Sequence, residues 1–362
     1  MNLITFGIIG GGWRAEFFLR IARSLPERFR VAGMLVRDAA KGARLEAAFG
    51  VPTVRALDDL LRMEGLAFAV VSVPWAVSPV MLRELAERGV PALAETPPAP
   101  DLPGLVALCE YAADLGARIQ VAEQYQFQPL HAARLAIARS GQLGRISQAQ
   151  VSVAHGYHGI SLLRGFLGVG FEEATIRARQ FVTPIVQSPG RDGPPDAERI
   201  VDSAQLIAEL DFGDRFGIFD FTGDQYFSYV RSPRLLVRGE RGEIKDEEIR
   251  YLADQRTGMA CPLRRMNAGE SGNLEGYHVK GYLLGERWIY CNPFAPGRLS
   301  DDEIAIATCL EKMAQHAAGG PSFYSLAEAA QDHYLSLLMN ESAKTGEAVR
   351  ADRQPWAAIA TD

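Results

Sequence analysis

Over residues 3–122 short apolar runs alternate with amphipathic stretches. Leu3, Ile4, Phe6, Ile8 and Ile9 form a nearly continuous apolar run, the pattern of a strand covered on both faces of a parallel sheet. Glu16 to Ser24 then sets Phe17, Phe18, Ile21 and Ala22 on one side of a helix. The alternation predicts further strands at Arg30–Val36, around Thr53 and Val54, at Ala67–Val73, Pro91–Ala94 and Arg118–Ala122. It predicts helices at Ala39–Phe49, Asp58–Arg62 and Ser78–Arg88, and one from the cap Asp101 to about Gly116. Repeated βα units of this kind close into a right-handed, doubly wound parallel sheet. The ligand crevice of such a sheet lies beyond the carboxyl ends of its strands.

The pattern changes near residue 124. After a helix at Pro129–Ser140, strands follow one another: Arg145–Ala154, Ala174–Thr183, Asp202–Phe212, Asp214–Thr222, Arg234–Gly239, His278–Leu284 and Arg287–Tyr290. Successive strands joined by turns predict a large, mostly antiparallel sheet with one open face. Two helices close the chain, Ser300–Ala318 behind a Ser300–Glu303 capping box, and Leu326–Gly346. The expectation is an α/β chain of two domains, 1–123 with a parallel sheet and 124–362 as an α+β unit. An open face of that size is expected to bury itself in a homodimer or homotetramer. The Pro/Gly/Asp stretch Gln187–Ala197 reads as a mobile or lid-like loop.

Composition narrows the function classes. The 362 residues are 48% hydrophobic and 23% charged, an ordinary globular balance. A net charge of −6 argues against nucleic acid or an anionic membrane as partner. Four widely spaced cysteines form neither a disulfide framework nor a metal-ligand cluster, so no metal site is expected. No apolar run reaches membrane length, and the N-terminus enters a strand directly. The expected compartment is a reducing cytoplasm.

The first strand, the glycine turn and the first helix form a dinucleotide fingerprint, Gly10-x-Gly12-x-x-Ala15. Gly10 permits the turn, Gly12 lets the backbone approach a pyrophosphate, and Ala15 allows close helix–strand packing. Trp13 and Arg14 complete the turn. Val73, Pro74, Ser78, Glu95, Thr96 and Glu123 leave strand ends and are expected beside the nicotinamide. The second strand ends Val36-Arg37-Asp38. Arg37 suits a 2′-phosphate or the adenine, while Asp38 stands one or two places late for a ribose contact, which tilts NAD versus NADP toward NADP. A solvated turn is the alternative for both residues.

The chain resembles the Gfo/Idh/MocA oxidoreductases over nearly its whole length. The resemblance is carried by Gly7–Gly12, Glu95-Thr96-Pro97, Tyr125–Pro129, Ser140–Gly144, His158-Gly159-Ile160-Ser161 with Leu162–Gly168, Leu235–Glu243 and Tyr324–Ala329. It implies a Rossmann domain followed by an open-sheet domain, NAD(P)-linked chemistry on sugars, polyols or related compounds, and dimers or tetramers. It also implies a catalytic lysine where this chain has Thr96, and an aspartate where it has Ser161. An arginine and a histidine common in the family are Gln126 and Ser78 here. His158 stands at the family's acid/base position, and histidine suits proton transfer near neutral pH. His155 and Tyr157 flank it and are expected, with Ser161, to contact substrate, although packing serves equally for His155. Tyr125 is a hydroxyl donor or a core residue, and Glu95 a cofactor or structural contact rather than a base. The cluster Tyr226, Tyr229, Arg231 and Arg234 reads as subunit interface ahead of sugar binding. His278 and Asn292 read as packing or turn residues. The leading expectation is a hydride-transferring enzyme on a sugar-like substrate. The alternatives are a nucleotide-binding member without dehydrogenase activity, or a tight-NAD lyase or hydrolase using transient oxidation.

Overall fold

A computed structural model describes residues 3–271 and 276–359; the outermost residues of the two expected domains, 1–2 and 360–362, lie outside the described residues. The first sheet has six parallel strands: β1 (Ile4–Ile9), β2 (Phe29–Leu35), β3 (Thr53–Val54), β4 (Phe68–Val71), β5 (Ala92–Ala94) and β6 (Ile119–Val121). Its order is β3-β2-β1-β4-β5-β6, which places the topological switch between β1 and β4. Between these strands run α1 (Ala15–Ser24), α2 (Ala39–Phe49), α3 (Leu57–Leu61), α4 (Ser78–Glu87) and α5 (Leu102–Asp114). Asp101 caps α5 by accepting from the Gly104 N–H at 2.9 Å, as its residue type predicts. Every residue of β4 and β5 is buried, which is why both read as unbroken apolar runs.

α6 (Pro129–Arg139) leads into the second sheet of eleven strands. These are β7 (Ile146–Ser152), β8 (Ala174–Val186), β9 (Ile200–Asp211), β10 (Phe216–Thr222), β11 (Arg234–Gly239), β12 (Gly242–Lys245), β13 (Glu248–Leu252), β14 (Gly258–Ala268), β15 (His278–Leu284), β16 (Arg287–Cys291) and β17 (Val349–Ala351). Their order is β16-β15-β14-β13-β12-β11-β7-β10-β9-β8-β17, antiparallel except for β7 beside β10. α7 (Gly156–Leu167), α9 (Leu326–Thr345) and α10 (Trp356–Ile359) pack on and beside this sheet.

Two features depart from a plain division into halves. α8 (Asp301–Ala317) comes from the far end of the chain but covers the first sheet. Its Ile304, Ile306, Cys309, Leu310 and Met313 share a core with Phe6, Ile8, Phe18, Phe29 and Phe68. Ion pairs Arg20–Glu303 at 2.8 Å and Arg28–Glu311 at 2.9 Å fasten it there. The second feature is α7, expected as a turn or helix start and found as a full helix. Its residues from Tyr157 to Leu167 are buried except Gly165, so no polar stripe marked it in the sequence.

Candidate active site

The glycine turn is shaped as the fingerprint requires. Gly10 holds φ at 110°, and a Cβ there would stand 2.0 Å from the Ser72 carbonyl oxygen. Only glycine allows β1 and the end of β4 to approach so closely. A Cβ on Gly12 would meet nothing within 4 Å. The space over Gly12, at the start of α1, is therefore open to a phosphate group. Ala15 is fully buried under the turn. Ser78 opens α4 with its Oγ buried and unpartnered, and Val73 lies beside Gly10. Open backbone and orphaned donors at the switch point fit a dinucleotide.

Arg14 turns from this loop into the crevice. Its Nε donates to Glu95 Oε1 at 2.9 Å, while its buried Nη2 has no partner. The site thus has a cation, although Thr96 takes the place of the family's lysine. Asp302, in the first turn of α8, also faces the crevice and accepts from Gln128 Nε2 at 2.7 Å. Nothing local marked Asp302 in the sequence; it reaches the site because α8 folds back over the first sheet.

His158 stands in the first turn of α7, paired with a buried carboxyl group. Its Nδ1 lies 2.6 Å from Glu123 Oε2, and both side chains are almost completely buried. Among the described residues no hydrogen bond reaches Nε2, since the one hydrogen bond of the ring is made at Nδ1. Burial makes charge costly on both partners. It lowers His158 to about 3, with Arg14 adding to the effect, and raises Glu123 to about 8. Glu123 thus backs the histidine, a contact the sequence reading did not anticipate. Its other oxygen accepts the Tyr125 N–H at 3.2 Å, which fixes the carboxyl plane. The geometry is that of an imidazole oriented by a carboxyl group, with one ring nitrogen left for a reacting hydroxyl.

Aromatic rings enclose His158. The centroids of Tyr157, Tyr125 and His155 stand 4.5, 4.6 and 5.0 Å from its own. Tyr226, on the 3-10 turn after β10, meets the Tyr125 hydroxyl and lies 2.6 Å from His155 Nδ1. The cluster around Tyr226 is thus divided. Tyr226 joins the site, Arg234 pairs with Asp220 at 2.6 Å, and Tyr229 is 83% exposed. Tyr157 donates weakly to the Thr96 carbonyl at 3.4 Å and packs edge-on against Trp75 and His333. It ties the two halves of the crevice together. The Ser161 Oγ donates to the His158 carbonyl at 2.9 Å and lies beside Glu123. Ser161 and Gln126 border a separate cavity of about 820 Å³ behind α7.

The remaining candidates lie outside this cluster. Arg37 is exposed at the end of β2, while Asp38 caps α2 by accepting from the Lys41 N–H at 2.8 Å. Asn292 makes a turn, donating to the Val279 carbonyl and accepting from the Phe294 N–H. His278 is buried within β15. Pro74 is exposed and its carbonyl accepts the N–H groups that start α4.

Comparison with known proteins agrees with this geometry. Residues 4–123 match the family model GFO_IDH_MocA, described as an oxidoreductase family with an NAD-binding Rossmann fold. A comparison with curated proteins finds no match. Three solved structures share the fold along both chains. Levoglucosan dehydrogenase in complex with NADH and levoglucosan is 16% identical, with a TM-score of 0.69 over 96% of this chain and 99% of that one. An oxidoreductase from Agrobacterium radiobacter, in complex with NAD+, L-tartaric acid and magnesium, is 16% identical at a TM-score of 0.67, covering 97% and 99%. The WlbA dehydrogenase from Bordetella pertussis, with NADH and UDP-GlcNAcA, is 17% identical at 0.63, covering 97% of each. Residues 4–123 thus match the NAD-binding Rossmann fold of the Gfo/Idh/MocA oxidoreductase family, and the chain as a whole is similar in fold to these three solved structures.

Proposed function

We propose that this oxidoreductase moves a hydride between a nicotinamide dinucleotide and a hydroxyl or carbonyl carbon of a sugar-like or polyol substrate. The observation that carries the reading is the buried His158–Glu123 contact at 2.6 Å, set beside the open glycine turn. A bound nicotinamide supplies the hydride acceptor or donor. The chain supplies the proton path. With Glu123 protonated, its O–H donates to Nδ1 and the imidazole presents Nε2–H, an acid for carbonyl reduction. With Glu123 ionised, Nδ1–H donates to the carboxylate and Nε2 presents a lone pair, a base for alcohol oxidation. One proton separates the two states, and its pKa belongs to the pair.

The charges favour a neutral substrate. Arg14 is matched by Glu95, and Asp302 stands near with only Gln128 bonded to it. A crevice so balanced suits polyhydroxyl compounds better than polyanions. The exposed Arg37 and the capping role of Asp38 support NADP over NAD. Tyr226 and Tyr125 offer hydroxyls to the substrate side of His158. Association through the open face of the second sheet and residence in a reducing cytoplasm complete the reading; the four cysteines are free thiols.

The test is a panel of sugars and polyols with each cofactor, followed by pH profiles on the best substrate. Oxidation should rise, and carbonyl reduction fall, as pH passes through about 8. Glu123→Gln should remove that step while keeping cofactor affinity. His158→Gln should cost on the order of 100-fold or more in turnover. Unchanged turnover in His158→Gln overturns the assignment.

A further inference from the structure

The stretch Gln187–Arg199 joins β8 to β9 and is the tip of a long hairpin. Gly190 and Gly193 pair across a tight turn whose centre is Arg191 and Asp192. The expected loop is therefore an ordered finger, and it does not stay over its own sheet. The Arg191 guanidinium lies over the ring of Trp13, 3.5 Å from its centroid. Trp13 is the residue directly after Gly12 in the cofactor turn and is 53% exposed. Among the described residues no ion pair or side-chain hydrogen bond holds Arg191 otherwise; the tryptophan face is what positions it.

We infer that the β8–β9 hairpin is part of the cofactor site, and that Arg191 is a phosphate-binding cation delivered across the crevice by the second domain. The inference rests on the dinucleotide reading above. It explains a shortage at the turn. Arg14 is the cation on the turn itself, but its Nε is spent on Glu95 and it points inward. Glu16 places a carboxylate in the first turn of α1. The backbone N–H groups at the start of α1 therefore lack a local positive partner for a phosphate, and Arg191 stands beside them. A guanidinium held flat on an indole keeps its edge N–H groups free to donate to phosphate oxygens. Those oxygens belong either to the diphosphate, common to both cofactors, or to the 2′-phosphate of NADP. The finger also gives the enzyme a clasp: bound phosphate bridges the glycine turn and the hairpin.

Equilibrium titration of the intact protein with NADH and with NADPH tests this, using cofactor fluorescence. Arg191→Met keeps a long apolar stem to lie on Trp13 and removes the charge. The expected result is a rise in Kd of about tenfold or more, the usual worth of charge-assisted hydrogen bonds. A rise for both cofactors assigns Arg191 to the diphosphate; a rise confined to NADPH assigns it to the 2′-phosphate. Arg191→Lys should recover part of the loss. A second readout is trypsin cleavage after Arg191 in the wild-type protein, which bound cofactor should slow. Unchanged affinities in Arg191→Met, with cleavage indifferent to cofactor, overturn the inference. Failure of the wild-type protein to bind either cofactor overturns the dinucleotide reading instead, so the two failures are distinct.

Discussion

At the residue scale, two glycines two positions apart, Gly10 and Gly12, separate folding from binding. Gly10 has no room for a methyl group and holds a left-handed φ, so Gly10→Ala must displace the Ser72 carbonyl or the end of β1. It should lower stability by a few kcal/mol, about 2–4, and be visible in thermal unfolding. Gly12→Ala meets open space and should leave the melting temperature within about 2 °C, while weakening dinucleotide binding by about tenfold or more. Equal effects of the two substitutions on stability would show that the turn is only structural. The glycine pattern, Ala15 and His158 were legible in the sequence because each is tied to a local motif. The role of Glu123 was not. Its partner stands 35 residues later, on a helix of the other domain. Asp302 escaped for the same reason, since its approach depends on how distant elements pack; Tyr226 was singled out in the sequence, but as an interface residue ahead of a sugar-binding one.

At the scale of elements, α7 positions the His158 imidazole and is itself anchored from behind. Arg164, on the same helix, is buried and binds Asp332 at 2.6 Å and Glu328 at 2.8 Å, both on α9. Two further donations reach the Gly170 carbonyl. Removing one partner of a buried network leaves the others uncompensated. Arg164→Met should therefore cost about 3–5 kcal/mol in denaturant unfolding, and any folded fraction should show a displaced His158 as lost turnover with cofactor affinity kept. A cost below about 1 kcal/mol would mean the network is not an anchor. The βα repeats of the first domain were readable because each strand is buried on both faces and each helix on one. α7 was not, because nearly all its surface is covered. β12 and β13 are only four and five residues long, and β14 runs mostly exposed or half-buried, so none of the three shows a sustained buried–exposed alternation.

The whole molecule joins its domains more closely than a linear reading suggests. α8 completes the core of the first sheet, Val121 donates to the Tyr324 carbonyl at 2.8 Å, and the β8–β9 hairpin reaches Trp13. The second sheet meanwhile leaves apolar residues in solvent: Val186 and Ile200 face each other across β8–β9 at 46% and 65% exposure. The proposed self-association would cover this patch. Sedimentation should show a homodimer or homotetramer, and Ile200→Glu should shift it toward monomer without loss of fold; a monomeric wild-type protein would contradict this. The central claim, however, concerns a single proton on the His158–Glu123 pair. ¹⁵N NMR of the imidazole between pH 5 and 10, assigned with His158→Gln, reads it directly without any substrate. The account predicts that His158 stays neutral across this range and changes from the Nε2–H to the Nδ1–H tautomer near pH 8. An imidazolium titrating near the ordinary value of about 6.5 would contradict it.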